Sequence, residues 1–337
     1  MKVRCAPLRC TAVRAAFACV LSSLLAACGG TLDAGSDRPR ETLPVGPENP
    51  VILTNDGAYD NWHGEYAVLL AQTDAPPLAG IIVSTGGLWS DLDANFSAWQ
   101  ELVTQARASG LANLPDPIRS SSEPLQRPDD ETIDSTLPND SEGARFIVET
   151  SARLSRPDRP VVVATGGRLT DVADAYLIDP TVAERVIVVS SLGTGFSDGE
   201  QVARMGVPNG EMDPWADAIV TQRFRYVQVS AYYDQLTDVP EERLPELPDN
   251  PFGEWIAAKQ PKILSTPVAS DQVSVIALGI PEFARSVTRV SQSGWDEDEP
   301  ILAPDPHGHG WLLSASDGAA ATARLWELLL APETFGQ

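Results

Sequence analysis

Short apolar runs separated by polar, glycine-containing loops recur along this chain. Val51-Ile52-Leu53, Leu78–Ser84, Arg159–Ala164, Val186–Val189 and Arg225–Val229 each read as a buried strand. Between them the apolar positions change to helical spacing: Trp62, Tyr66, Leu69 and Leu70; Phe96, Trp99, Leu102, Val103 and Ala106; Ala144, Ile147, Val148, Ser151 and Leu154; Ala173, Ala175, Tyr176 and Leu177. Gly110 stands where a C-terminal cap belongs, Asp179-Pro180 stops a helix, and Pro214 leads one through Val220. Strand, loop and helix in repetition predict βαβ units. The fold class is α/β, an open, mostly parallel sheet with helices on both faces, in a single domain. Residues 113–138 read as a long surface loop, and 236–262 as irregular and acidic. Val273–Leu278 fits strand or helix, and Gly318–Leu330 fits a helix.

The N-terminus changes the picture. Lys2, Arg4, Arg9 and Arg14 precede a short apolar run, Ala15–Ala27, that ends Leu25-Ala26-Ala27-Cys28-Gly29. The run is too short to span a bilayer, and the pattern is that of a secretory signal. Its ending resembles the bacterial lipoprotein signal, which implies lipid on Cys28 and anchoring in the cell envelope. Gly29 after the cysteine leans towards the outer membrane where there are two membranes. An ordinary secretory peptide with a chance cysteine is the alternative. Residues 1–27 are then a signal, 28–49 a Gly- and Pro-rich tether, and 50–337 the domain. About 290 residues suffice for one large core.

All four cysteines, Cys5, Cys10, Cys19 and Cys28, lie in the signal or at its end. The processed domain therefore has no thiol for a disulfide, a metal or a nucleophile. Removing residues 1–27 leaves 20 basic against 47 acidic residues, a charge of −27. That argues against a nucleic-acid partner, which needs clustered Lys and Arg.

Candidate chemistry concentrates after the first strand. Asn55, Asp56, Asp60 and Asn61 crowd into seven residues at its carboxyl end, where open α/β sheets bind ligands. A hard cation held by oxygens would relieve the repulsion there. A plain helix cap by Asp60 or Asn61 would also explain the residues.

The order of landmarks resembles the inosine-uridine preferring nucleoside hydrolases. Their D-T-D-P-G-x-D-D opening meets Thr54-Asn55-Asp56-Gly57-Ala58-Tyr59-Asp60-Asn61. The next strand and Gly-Asn loop meet Ser84-Thr85-Gly86-Gly87. G-P-L-T-N-x-A meets Gly167–Ala173, with Asp179-Pro180 downstream. E-F-N-x-x-x-D-P-E-A meets Val207–Ala216, keeping Asn209, Asp213, Pro214 and Ala216. The resemblance covers residues 50–220.

It implies a hydrolase of N-ribosides or related glycosides, with a small-molecule nucleoside or glycoside as partner and Ca²⁺ as cofactor. Asp56 would be general base and metal ligand; Asn61 and the Thr170 carbonyl would be further ligands. Asp60, Asn209 and Gly87 would lie against the sugar. The chain departs from the pattern at Thr54, Gly87, Asn61 and Val207. The family's late His-Asp pair has no clean match, so His309, in His307-Gly308-His309-Gly310-Trp311, is the candidate for leaving-group contact and Asp305 for the late carboxylate. Either histidine could equally belong to a surface loop. Trp62, Trp89 and Trp311 fit a pocket wall or simple core packing. Two other readings stay open. A binding protein of the same fold would lack turnover, as the missing carboxylates suggest. A metal-dependent phosphatase would resemble the SurE-type nucleotidases through Asn55-Asp56-Gly57, but lacks their paired aspartates.

Overall fold

The computed structural model describes residues 42–46, 48–58, 78–87, 89–111, 113–121, 123–191, 195–197, 202–203, 210–229, 241–259, 284–296 and 299–316, with 326 and 330. All lie within the compact unit Glu41–Gln337. The strands are β1 (Val51–Asn55), β2 (Leu78–Val83), β3 (Pro117–Arg119), β4 (Val161–Thr165), β5 (Val186–Ser191), β6 (Gly195–Ser197), β7 (Val202–Ala203), β8 (Arg225–Val229), β9 (Ala284–Asp296), β10 (Glu299–Pro304) and β11 (Gly310–Ser316). The helices are α1 (Leu92–Ala108), α2 (Glu142–Leu154), α3 (Thr170–Ile178), α4 (Val182–Arg185), α5 (Pro214–Arg223) and α6 (Pro251–Lys259).

These strands form one sheet in the order β3-β2-β1-β4-β5-β8-β11-β9-β10-β6-β7. From β3 to β11 every pairing is parallel. The central strands are Val- and Ile-rich because both of their faces are covered. Alternate residues feed two cores. Val51, Leu53, Val162 and Ala164 meet α1 and α6, while Ile52, Val161 and Val163 meet α2, α3 and α5. The mostly parallel sheet with helices on both faces is the architecture the apolar pattern predicts.

Two stretches differ from their sequence reading, and a third had none. The loop 113–138 contains β3 and a 3-10 turn at Ile133–Ser135. β3 is short and opens on Pro117, which an edge strand tolerates because its outer side needs no N–H. The irregular stretch 236–262 contains α6, whose start is capped by the Asn250 side chain accepting from Gly253 N at 2.8 Å. The third is an antiparallel hairpin. The first half of β9 pairs with β11 and its second half with β10. That second half lies over α5, where Thr221 donates to Gln292 Oε1 at 3.2 Å.

Candidate active site

The chain proceeds from β1 outward to β2 and β3, then returns to the other side of β1 for β4 and continues through β5 to β8. The direction of winding therefore reverses between β1 and β4. At such a switch point the loops leaving adjacent strands diverge and open a crevice at their carboxyl ends. Asp56 and Gly166-Gly167 are the residues that leave β1 and β4 there.

Backbone hydrogen bonds tie these exits together. Gly166 N donates to Thr54 O at 2.9 Å, Ser84 N to Asn55 O at 2.8 Å, and Arg168 N to Thr85 O at 3.2 Å. Asp56 is 2 % exposed. Its Oδ1 accepts from Gly57 N at 2.7 Å, and its carbonyl accepts from Trp99 Nε1 of α1 at 3.2 Å. A Cβ on Gly167 would lie 2.2 Å from Ser84 Oγ and 3.5 Å from Asp56 N. Glycine is therefore what lets the β4 exit close against β1 and β2. Thr54 Oγ1 and Ser84 Oγ are buried and unpartnered. Buried hydroxyls without partners are uncommon in folded proteins, and these two lie at the ends of β1 and β2 where those strands meet the β4 exit.

A second polar layer lies beneath, on the side of α3 and α5. Asp213 caps α5 by accepting from Ala216 N at 3.0 Å, and also accepts from Leu125 N at 2.9 Å and the Thr170 hydroxyl at 2.6 Å. Burial raises the Asp213 pKa, opposed by these hydrogen bonds and by the nearby Arg168 charge. Arg168 is 3 % exposed, and its Nη2 donates to Ser121 O at 2.5 Å. Burial lowers its pKa, while Asp213, Asp171 and Glu123 act in the opposite direction. Asp171 accepts from Ser121 N and the Ser141 hydroxyl, so this layer fixes the loop and the start of α2.

The sequence matches no family model and no curated protein. Solved structures do match. An inosine-uridine preferring nucleoside hydrolase from Bacillus anthracis is similar over 84 % of this chain and 99 % of its own, with TM-score 0.62 and 14 % identity. A purine-preferring ribonucleoside hydrolase from Gardnerella vaginalis is similar over 85 % and 98 %, with TM-score 0.58 and 13 % identity. The type III effector protein XopQ, solved with adenosine diphosphate ribose, is similar over 88 % and 95 %, with TM-score 0.50 and 15 % identity. The fold is that of the nucleoside hydrolases.

On this nucleoside hydrolase-like frame the expected site residues separate. Asp56 stands at the switch point, and Gly87 is exposed in the loop that Ser84 and Thr85 begin. Thr170 is buried as the first residue of α3, with its hydroxyl turned to Asp213. Asp60, Asn61, Asn209, Cys28 and Trp62 lie outside the described residues. Trp311 is buried in the core under the Arg289 guanidinium, which fits packing.

His309 is not brought to Asp56. Gly310 pairs with Tyr226, Tyr226 with Val188, Val188 with Val163, and Val163 with Ile52. His309 thus stands level with the start of β1, about 16 Å along the strands from Asp56 and several strands away. Its Nε2 lies 2.8 Å from Thr221 O. Asp305 occupies the same far edge, accepting from Ser291 and His307 N. The Gly-rich histidine segment is a turn entering the amino end of β11. Register decides that placement, and register is absent from a single sequence.

Ca²⁺ needs several oxygen ligands with enough negative charge. Among the described residues no three His, Cys, Asp or Glu side chains come together as a metal site. The described donors at the switch point are one carboxylate, a carboxamide and hydroxyls, which do not fit Ca²⁺ by themselves. Sequence reading passed over Arg168 and the unpartnered Thr54 and Ser84 hydroxyls. An arginine following Gly-Gly at the end of an all-apolar strand is the one signal that could have exposed part of this layer.

Proposed function

We propose that this chain is a hydrolase of N-ribosides or related glycosides working at the β1–β4 switch point, with Asp56 as general base. The observation that carries the proposal is the junction of Asp56, Ser84, Thr85 and Gly167 at the carboxyl ends of three adjacent strands. Asp56 takes a proton from water as the water oxygen bonds to the anomeric carbon. The N-glycosidic bond breaks, and the base departs with the bonding pair and takes a proton from solvent. The Gly57 N–H holds the orientation of the Asp56 carboxylate. Asp60, Asn209 and Gly87 are proposed to contact the sugar.

The test incubates the domain without its lipid with purine and pyrimidine nucleosides and follows free base by absorbance. Release should fall about 10²–10⁴-fold in Asp56→Ala, the usual worth of a general base. Asp305→Ala should leave it unchanged, since that carboxylate is held by Ser291 and His307 N at the far edge. Loss of release on chelation would restore the ion to the site; unchanged release would leave the carboxylate acting alone.

A second reading, binding without turnover, is favoured by the single described carboxylate and by the similarity to a protein solved with adenosine diphosphate ribose. Thermal stabilisation by a nucleoside or by adenosine diphosphate ribose, with no free base, would select it. We also propose export and lipid anchoring through Cys28 to the bacterial envelope, at the outer membrane where there are two. Metabolic labelling with palmitate, lost in Cys28→Ala, checks that.

A further inference from the structure

Away from the switch point, three separate segments meet on the outer side of α5. Trp215 comes from its first turn, Trp295 from the end of β9, and Arg127 from the loop before α2. The two indoles are stacked, with centroids 6.2 Å apart and planes 14° from parallel. The Arg127 guanidinium lies 4.8 Å from the Trp295 ring and 5.2 Å from Trp215. Trp215 is 5 % exposed and Trp295 40 %, so one ring backs the other. A cavity of about 310 Å³ opens beside them, with Glu131, Asp134 and Arg223 on its rim. That volume is at the small end of ligand pockets.

We infer that this cavity is a carbohydrate subsite, taking a neutral pyranose ring against Trp295. Its chemistry narrows the ligand class. The charges are balanced locally: Arg127 pairs with Glu131 at 3.1 Å, and Arg223 faces Asp134 at 3.9 Å. The rim therefore lacks the excess of one sign that a phosphate or a cation would need. It does offer carboxylates and guanidinium N–H groups side by side, the pairing that adjacent hydroxyls satisfy by donating and accepting at once. A flat base held between two rings would need an open slot. Here Trp215 already covers one side of Trp295, leaving an amphipathic platform suited to the C–H face of a sugar. An exposed tryptophan held by a stacked indole and a guanidinium is also ordered in advance, so binding costs little side-chain entropy.

The test is saturation-transfer NMR on the full soluble domain with cellobiose and N,N′-diacetylchitobiose. The expected result is saturable transfer to ring C–H protons from at least one disaccharide, with millimolar affinity. Trp295→Ala should weaken binding about tenfold or more and Trp295→Phe should restore part of it. Asp134→Asn should weaken it without affecting folding, since the Asp134 side chain is 89 % exposed. Asp56→Ala should leave it unchanged, which separates this subsite from the proposed ribose site. Absence of saturable transfer from both sugars, or transfer that survives Trp295→Ala or vanishes in Asp56→Ala, overturns the inference.

Discussion

Asp217 shows how much one buried side chain can cost. It lies on α5 beneath the β9–β10 hairpin, and its Oδ1 is buried without a partner. Burial pushes its carboxyl well above the usual range, and the nearby Asp213 and Glu299 push the same way. The folded protein thus holds this proton more tightly than the unfolded chain does. Its contribution to stability is full below the unfolded carboxylate pKa and is lost as pH rises through the folded pKa. Asp217→Asn, uncharged at every pH, should stabilise the domain, and more at about pH 8 than at about pH 5. Urea denaturation at the two values checks it; an equal effect at both would mean that charge burial is not the cause. Gly167 makes the opposite case. Gly167→Ala should destabilise by about 1–3 kcal/mol, because the new methyl meets Ser84 Oγ. Ser84→Ala should be near neutral, since it removes a hydroxyl with no partner. In the double variant the alanine at 167 should cost less, an interaction energy that a mutant cycle reads directly.

Among the elements, α1 was fully legible. Its apolar residues recur on one face, and Gly110 closes it with φ 85°. Leu111 N donates to Ala106 O and Gly110 N to Arg107 O, the paired bonds of a helix ended by a left-handed residue. Gly110→Ala should cost about 1–2 kcal/mol, because an L-residue resists that conformation. Loss of melting temperature without loss of base release would confirm a purely structural role. β1, β2, β4 and β5 were legible for a related reason: strands buried on both faces are mostly apolar, so the run itself is the signal; β8 is a weaker case, since it carries Arg225 and Gln228. β9 and β10 carry no such run. Ala284–Pro304 alternates Arg, Ser, Thr and Gln with Val and Trp, as a half-exposed hairpin does, and nothing local says which neighbour it covers. The candidate site divides along the same line. Asp56 was legible because it follows a buried strand directly. His309 was misplaced because its position depends on which end of β11 it precedes. Arg168 drew no role because its burial follows from distant segments, Ser121 and Asp213, closing around it.

At the scale of the molecule, 47 acidic residues face 24 basic ones. Two salt effects compete. Screening weakens attractive pairs such as Arg107–Asp116 at 2.8 Å and Lys259–Glu101 at 3.1 Å. Those pairs are partly or largely exposed, and pairs of that kind contribute about 0–1 kcal/mol each. Screening also relieves the mutual repulsion of the uncompensated carboxylates, which acts over the whole surface. The Debye length falls from about 30 Å at 0.01 M salt to about 8 Å at 0.15 M. At the lower value carboxylates across much of the domain still repel one another; at the higher, only near neighbours do. The long-range repulsion is therefore lost first, while contacts near 3 Å lie well inside either length. The melting temperature should rise between these two concentrations of NaCl. Chloride and sulfate salts matched for ionic strength should agree if screening is the cause, since sulfate alone also strengthens apolar burial. A fall in melting temperature over the same range would show that the surface pairs outweigh the net charge.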